Sequence, residues 1–265
     1  MDKLSGEFDL NGKLAVVTGA SRGLGQFMAR ALARAGADLI ITSRNKTDCA
    51  DLIKEIQSTG RKAEAFSLQL REESSITDFA NTVLSKYKFI DILVNNAGCN
   101  IRKTSLEITW DDWNTVLETN LRGMFFLCKA FAPAMIARNY GKIINIGSVT
   151  SVFGYGGIVP YCASRGGVFQ LSKALADEWG EYGINVNVLA PGWFQTKQNE
   201  ELYQNKEWYD YICDRIPMRR PGKPNDLDGT VVFLASDASQ YITGQIILVD
   251  GGITTGSTKA LIKLK

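Results

Sequence analysis

The chain has no histidine among its 265 residues. That absence removes Ser-His-Asp and Cys-His catalysis and most zinc sites, so acid–base work falls to Tyr, Lys, Asp or Glu. Cysteine is sparse. The five, Cys49, Cys99, Cys128, Cys162 and Cys213, are scattered with no CxxC and no metal-ligand spacing. They fit reduced thiols, and no metal is expected. Charge of one sign is also missing. The formal net charge is +2 without a basic block, so neither nucleic acid nor an anionic membrane is an expected partner. No apolar run approaches the ~18 residues of a membrane span, and the opening MDKLSGEFDLNGK has no apolar signal core. The expectation is a cytoplasmic protein. Internal repeats, low-complexity stretches and linkers are absent as well.

What is present is an alternation of short apolar runs and helical periodicity. The runs are Leu14 to Thr18, Asp38 to Thr42, Ala63 to Leu68, Phe89 to Val94, Lys142 to Ile146, Ile184 to Leu189 and Gln245 to Val249. Continuous apolar runs of that length predict parallel strands buried on both faces. Between the first two, Leu24, Phe27, Met28, Ala31, Leu32 and Ala35 form one apolar helical stripe, and Gly36 suits its C-terminal stop. Further helices are predicted from Glu72 to Tyr87, from near Asp111-Asp112 through Asn120, around Tyr161, and from Asp226 to Ala235. The reading is an α/β fold, one compact domain over residues 1–265 with a parallel sheet covered by helices on both faces. Between Trp193 and Arg220 the pattern loosens into an aromatic, charged segment, expected to cover a pocket.

Two stretches carry chemistry. Gly19-Ala20-Ser21-Arg22-Gly23-Leu24-Gly25 stands between the first strand and its helix. Residues without a Cβ let backbone approach a ligand there, and a helix N-terminus offers free N–H groups to a pyrophosphate. In Tyr161-Cys162-Ala163-Ser164-Arg165, the phenol and the guanidinium are four residues apart, one turn on a shared helix face. A phenol's ordinary pKa is ~10. A fixed cation and a helix N-terminus both favour its ionised form, and Pro160 suits the first turn of that helix.

TGASRGLG, NNAG, the strand-end Ser148 and YCASR, in that order, resemble the short-chain dehydrogenase/reductase family. The likeness runs from about Gly12 to Gly252 and includes Pro191-Gly192 and the terminal VDGG. It implies a single Rossmann-type doubly wound domain with a seven-stranded parallel sheet, and NAD(P)-dependent hydride transfer. It implies that Gly19, Ser21, Gly23 and Gly25, with Leu24, cradle the cofactor pyrophosphate. Asn95 would lie near the adenosine, and Ala97, Gly98, Pro191, Gly192 and Thr196 would also contact the cofactor. Leu70 would stand beside Gln69, which occupies the place where the family often has an acid touching adenine. Tyr161 would be the general acid/base, Ser148 would hydrogen-bond the reacting oxygen, and Asn120 would anchor a relay water. Position 165 would hold the nicotinamide ribose. The family has lysine there and this chain has Arg165, which keeps the charge and cannot pass a proton.

A strand-end acid that selects NAD is missing after the second strand, where Ser43-Arg44-Asn45 stand instead. Ser43, Arg44 and Arg22 suit a 2′-phosphate, so NADP(H) is expected over NAD(H). GGIVPYCAS, DEWGEYGINVN, the DRIP run and VFLASDAS resemble gluconate 5-dehydrogenase and 2-deoxygluconate 3-dehydrogenase members. The implied substrate is a small sugar acid exchanging a secondary alcohol for a ketone. Arg102, Lys197 and Arg219 are the cations available for its carboxylate. The alternatives are a 3-oxoacyl-thioester (acyl carrier protein) reductase, and an NADP-binding protein with little turnover because of Arg165. The resemblance also implies a homotetramer, to which the apolar helix Gly123 to Ala137 would offer a face. The extension Ile253 to Lys265 runs past the family's usual end.

Overall fold

The apolar runs become strands because helices cover both faces of the sheet they build. The computed structural model describes residues 4–196 and 199–256; Lys197 and the extension beyond Gly256 lie outside the described residues. The strands are β1 (Leu14–Val17), β2 (Asp38–Ser43), β3 (Ala63–Ser67), β4 (Ile92–Asn95), β5 (Gly141–Ile146), β6 (Ile184–Pro191) and β7 (Ile246–Val249). They form one seven-stranded sheet in the order β3-β2-β1-β4-β5-β6-β7. Every pairing is parallel, as in Val17↔Val94 and Ile144↔Asn187.

Helices α1 (Gly23–Arg34), α2 (Ala50–Ser58) and α9 (Asp228–Ala235) cover one face, with Met28, Leu32, Leu52 and Leu234 in its core. On the other face lie α3 (Glu73–Tyr87), α5 (Gly123–Arg138) and α6 (Val159–Trp179), contributing Phe79, Phe131, Val168 and Leu175. The winding direction reverses between β1 and β4, and in such sheets the crevice at the strands' C-terminal ends is where ligands bind. Among the described residues no helix is long and apolar enough to cross a membrane.

Each strand has one end a residue or two away from the sequence pattern, and three further boundaries differ for identifiable local reasons. β4 opens at Ile92 rather than Phe89, because Lys88 takes a positive φ of 66° and turns the chain. Phe89 then packs under the Arg138 guanidinium, 3.5 Å from its ring centroid, while Asp91 pairs with Arg138 at 2.9 Å. α9 begins at Asp228 because Pro224–Leu227 forms a separate 3-10 turn, with Asp226 accepting from Lys223 N at 2.7 Å. The helix expected from Asp111 starts at Trp110, where Thr109 and Asp112 form a capping box. It runs as α4 (Trp110–Leu117), widens into a π turn at Glu118–Arg122 and continues as α5.

Among its described residues, the aromatic segment after β6 is folded. It contains α7 (Glu200–Gln204) and α8 (Lys206–Arg215). Ile212 and Ile216 of this region pack with Val149 and Ile253 into a third apolar cluster, joined by Trp193 and Trp208.

Candidate active site

The glycine turn is shaped by what lies behind it. Gly19 has φ +64°, and a Cβ there would stand 2.8 Å from Ala97 Cα. A Cβ on Gly25 would meet Asn96 Nδ2 and Gly19 O, each at 2.5 Å. Both glycines therefore let the β1 and β4 ends close on each other. Thr18 ties the two loops: its Oγ1 accepts from Asn96 N at 3.0 Å and from Ala97 N at 2.9 Å. Asn96 Nδ2 in turn donates to Thr18 O and Gly19 O. The N-cap of α1, Arg22, makes no side-chain cap hydrogen bond. The first-turn N–H groups of that helix thus face the cleft without a side-chain acceptor, a ready anion site.

A single cleft of about 1580 Å³ runs along these strand ends, and Ser148, Tyr161 and Arg165 all line it. Ser148 follows β5 and is nearly buried. Its Oγ accepts from Thr150 N at 3.2 Å, which leaves its own hydrogen free to donate into the cleft. Ser151 fixes the arrangement, since its Oγ takes the Ser148 N–H at 3.3 Å and donates to Arg165 O at 2.8 Å. Tyr161 lies in the first turn of α6, whose start carries Pro160. Arg165 is one turn on and buried, with Cζ 4.9 Å from the Tyr161 ring centroid. Its Nη1 donates to Ile146 O at 2.6 Å, and its Nε is buried with no acceptor. Gly98 gives the guanidinium room, because a Cβ there would lie 2.5 Å from Arg165 Nη2.

Two expected site residues are placed elsewhere. Asn95 is buried and turned into the sheet, where its Nδ2 donates to Asn145 Oδ1 at 2.8 Å and approaches Cys128 Sγ at 3.1 Å. It braces β4 against β5, and its neighbour Asn96 lines the cleft instead. Asn120 is fully buried within the π turn and does not line the cleft. Its Oδ1 accepts from Cys99 N at 2.8 Å, and its Nδ2 donates to Cys99 O at 2.9 Å and Ser164 Oγ at 3.1 Å. With both amide hydrogens used, the side chain clamps two site segments, those of Cys99 and Ser164.

The remaining positions converge. Ser21, Arg22, Gly23, Leu24, Ser43 and Arg44 line one flank of the cleft, and Gln69 and Leu70 line the floor near them. Ala97, Gly98, Pro191, Gly192 and Thr196 line its central part. Sequence reasoning missed Asp48, which also lines the flank from the turn Lys46–Cys49, as well as Asn96 and Thr150. Among the described residues none of Arg22, Arg44, Arg102 or Arg165 is ion-paired. Arg102 lines the cleft; Arg219 does not, and its Nη1 donates to Asp214 O at 2.6 Å on its own segment. No cluster of three or more metal-binding side chains occurs among the described residues.

A doubly wound parallel sheet, a glycine cradle at its switch point and a Ser-Tyr pair beside a buried cation define a dinucleotide-dependent oxidoreductase. The chain belongs to the short-chain dehydrogenase/reductase family. The family model described as enoyl-(acyl carrier protein) reductase matches residues 19–254. The chain is similar to gluconate 5-dehydrogenase of Gluconobacter oxydans, with 40% identity over 93% of this chain and 96% of that protein. It is 41% identical to 2-dehydro-3-deoxy-D-gluconate 5-dehydrogenase of Escherichia coli, over 92% of this chain and 96% of that one. A crystal structure of gluconate 5-dehydrogenase from Burkholderia cenocepacia, in complex with NADP and tartrate, superposes with a TM-score of 0.92. Its identity is 38%, covering 96% of this chain and all of that one.

Proposed function

We propose that the protein is an NADP(H)-dependent oxidoreductase that interconverts a secondary alcohol and a ketone on a sugar acid of the gluconate/keto-gluconate kind. The observation that carries the reading is Arg165, a buried guanidinium with one unpaired N–H and no carboxylate partner, beside Tyr161 and the glycine cradle. A cation so placed is costly unless a ligand supplies acceptors. The ribose diol of a nicotinamide nucleotide is such a ligand. Gly19, Gly25 and the uncapped α1 N-terminus fit its pyrophosphate, and Arg22, Arg44 and Ser43 fit a 2′-phosphate.

The bound nucleotide supplies or takes the hydride. The chain supplies the rest. Ser148, with one lone pair taken by Thr150 N–H, donates its hydrogen to the substrate oxygen and fixes its position. Tyr161 gives a proton to that oxygen in the reductive direction and removes it in the oxidative one. Arg165, held to Ile146 O, keeps a fixed positive charge by the phenol and passes no proton. Arg102 is the cleft-lining cation free to meet the substrate carboxylate. Residues 193–220 form the lid. The exposed Trp110 and Trp113 on α4 and Phe126 on α5 support assembly through that face, as a homotetramer requires.

The test is NADPH and NADH oxidation, read by absorbance, with a panel of keto-aldonates and an acetoacetyl thioester, repeated with Tyr161→Phe. The expected result is NADPH-dependent reduction of a keto-aldonate that falls by at least about 100-fold in the variant. Preference for the thioester would make the protein a 3-oxoacyl-thioester reductase, and an unaffected Tyr161→Phe would remove the catalytic assignment.

A further inference from the structure

The wall of the cleft beyond Ser148 holds two polar atoms with no partner. Thr150 Oγ1 is buried and unpaired, on a residue that is 6% exposed and lines the cleft. Trp193 Nε1 is likewise buried and unpaired, on a residue lining the same cleft. Both residues line the same cleft, and Trp193 packs on the apolar cluster that contains Val149, the residue between Ser148 and Thr150. A buried hydroxyl or indole N–H without a partner carries a desolvation cost that packing alone does not repay. An orphan polar pair in a ligand cleft is the pattern of a site completed by its ligand.

We infer that Thr150 and Trp193 form a polar subsite that recognises a hydroxylated carbon next to the one being oxidised or reduced. The inference rests on the sugar-acid reading and deepens it. Thr150 is placed for this by its backbone, whose N–H already holds Ser148 Oγ. A substrate oxygen on Ser148 is then two residues along the chain from Thr150, which lines the same cleft. The hydroxyl of Thr150 can donate or accept, while the indole of Trp193 only donates, so together they suit a polyol and leave a plain methylene unrewarded. Both atoms are covered in the present packing. The subsite therefore requires Thr150 to rotate about Cα–Cβ and Trp193 to shift, so that both polar atoms meet the ligand.

The experiment compares Thr150→Val, which keeps the shape and removes the hydroxyl, with Thr150→Ser, which keeps the hydroxyl. Trp193→Phe serves as the second site. The readouts are kcat and KM for the keto-aldonate the parent reduces, and the NADPH Kd by fluorescence titration. Thr150→Val and Trp193→Phe are each expected to lose roughly 10- to 100-fold in kcat/KM. Thr150→Ser is expected to stay within about 3-fold of the parent, with NADPH binding unchanged throughout. A Val variant as active as the parent, a Ser variant as poor as Val, or loss of NADPH binding with turnover would each overturn the subsite. A parent inactive on every keto-aldonate would remove the proposed function and this inference together; an active parent with a silent Thr150→Val removes the inference alone.

Discussion

Arg165 Nη1 donates to the carbonyl of Ile146, the last residue of β5, at 2.6 Å. One bond thus ties the cation of α6 to the strand that delivers Ser148, and it leaves Nε without an acceptor. Arg165→Met removes a buried charge that lacks a carboxylate partner. Turnover is expected to fall by 100-fold or more while the thermal midpoint rises by a few degrees, since unpaired buried charge destabilises. Arg165→Lys keeps the charge and is expected to retain turnover. Steady-state kinetics beside thermal unfolding checks both; a Met variant with parental kcat would remove Arg165 from the machinery.

The glycine cradle leads to a second expectation. Gly25→Ala forces a methyl to within 2.5 Å of Asn96 Nδ2 and Gly19 O. NADPH affinity should drop more than about 10-fold, with a stability loss of about 1–3 kcal/mol from overpacking. Gly154→Ala, where a Cβ meets nothing within 4 Å, is the control and should change neither. Fluorescence titration and denaturant unfolding read the two effects separately.

Cofactor choice should follow charge on the outer flank. Arg22 and Arg44 are exposed, line the cleft and have no ion-pair partner among the described residues, while Asp48 is the nearby lining carboxylate. Replacing both arginines by alanine is expected to raise the KM for NADPH by roughly 100-fold and to leave that for NADH within a few-fold. The parental preference should also weaken with salt, because the charges are exposed. Equal losses for both nucleotides would mean that the pair does not read the 2′ position.

A stability effect is expected far from the cleft. Lys142 on β5 is almost wholly buried, and its Nζ donates to Asn185 Oδ1 at 2.7 Å. Burial lowers its pKa to about 8, and Lys13 adds to this, while Asp237 opposes it. The folded value lies below the unfolded ~10.4, so below pH 8 the lysine is charged in both states and its burial cost is fully present. As pH rises from about 8 towards 10 the unfolded chain holds more protons, and stability rises. Lys142→Met should be more stable than the parent at pH 7 by about 1–2 kcal/mol, and the difference should shrink at pH 9.5. Urea midpoints at the two pH values decide it.

The strands, their parallel pairing and the glycine turn were legible because each is written in consecutive residues: an apolar run, or a glycine spacing between a run and a helix. The approach of Arg165 to Tyr161 was legible for a similar reason, as helical spacing alone brings the two within reach. Asn95 and Asn96 were not separable in this way. Adjacent residues at a strand end point to opposite faces, and only the β1–β4 register, with Thr18 holding Asn96, shows which one meets the cleft. Asn120 was found as a helix residue, but its partners Cys99 and Ser164 come from distant segments that no local pattern connects. Helices α7 and α8 were missed because both are short and α8 takes its packing partners, Val149 and Ile253, from either side of it in the chain.

Val149 has a further consequence. It stands between the serine and the threonine of the cleft wall, and Ile212 and Ile216 from the α8 region rest on it. A guest that fits poorly and props those isoleucines away would also unseat the turn that aims the Ser148 hydrogen. Discrimination between guests would then register as a slower chemical step rather than as weaker capture, so the wrong molecule could dwell in the cleft and still leave unchanged.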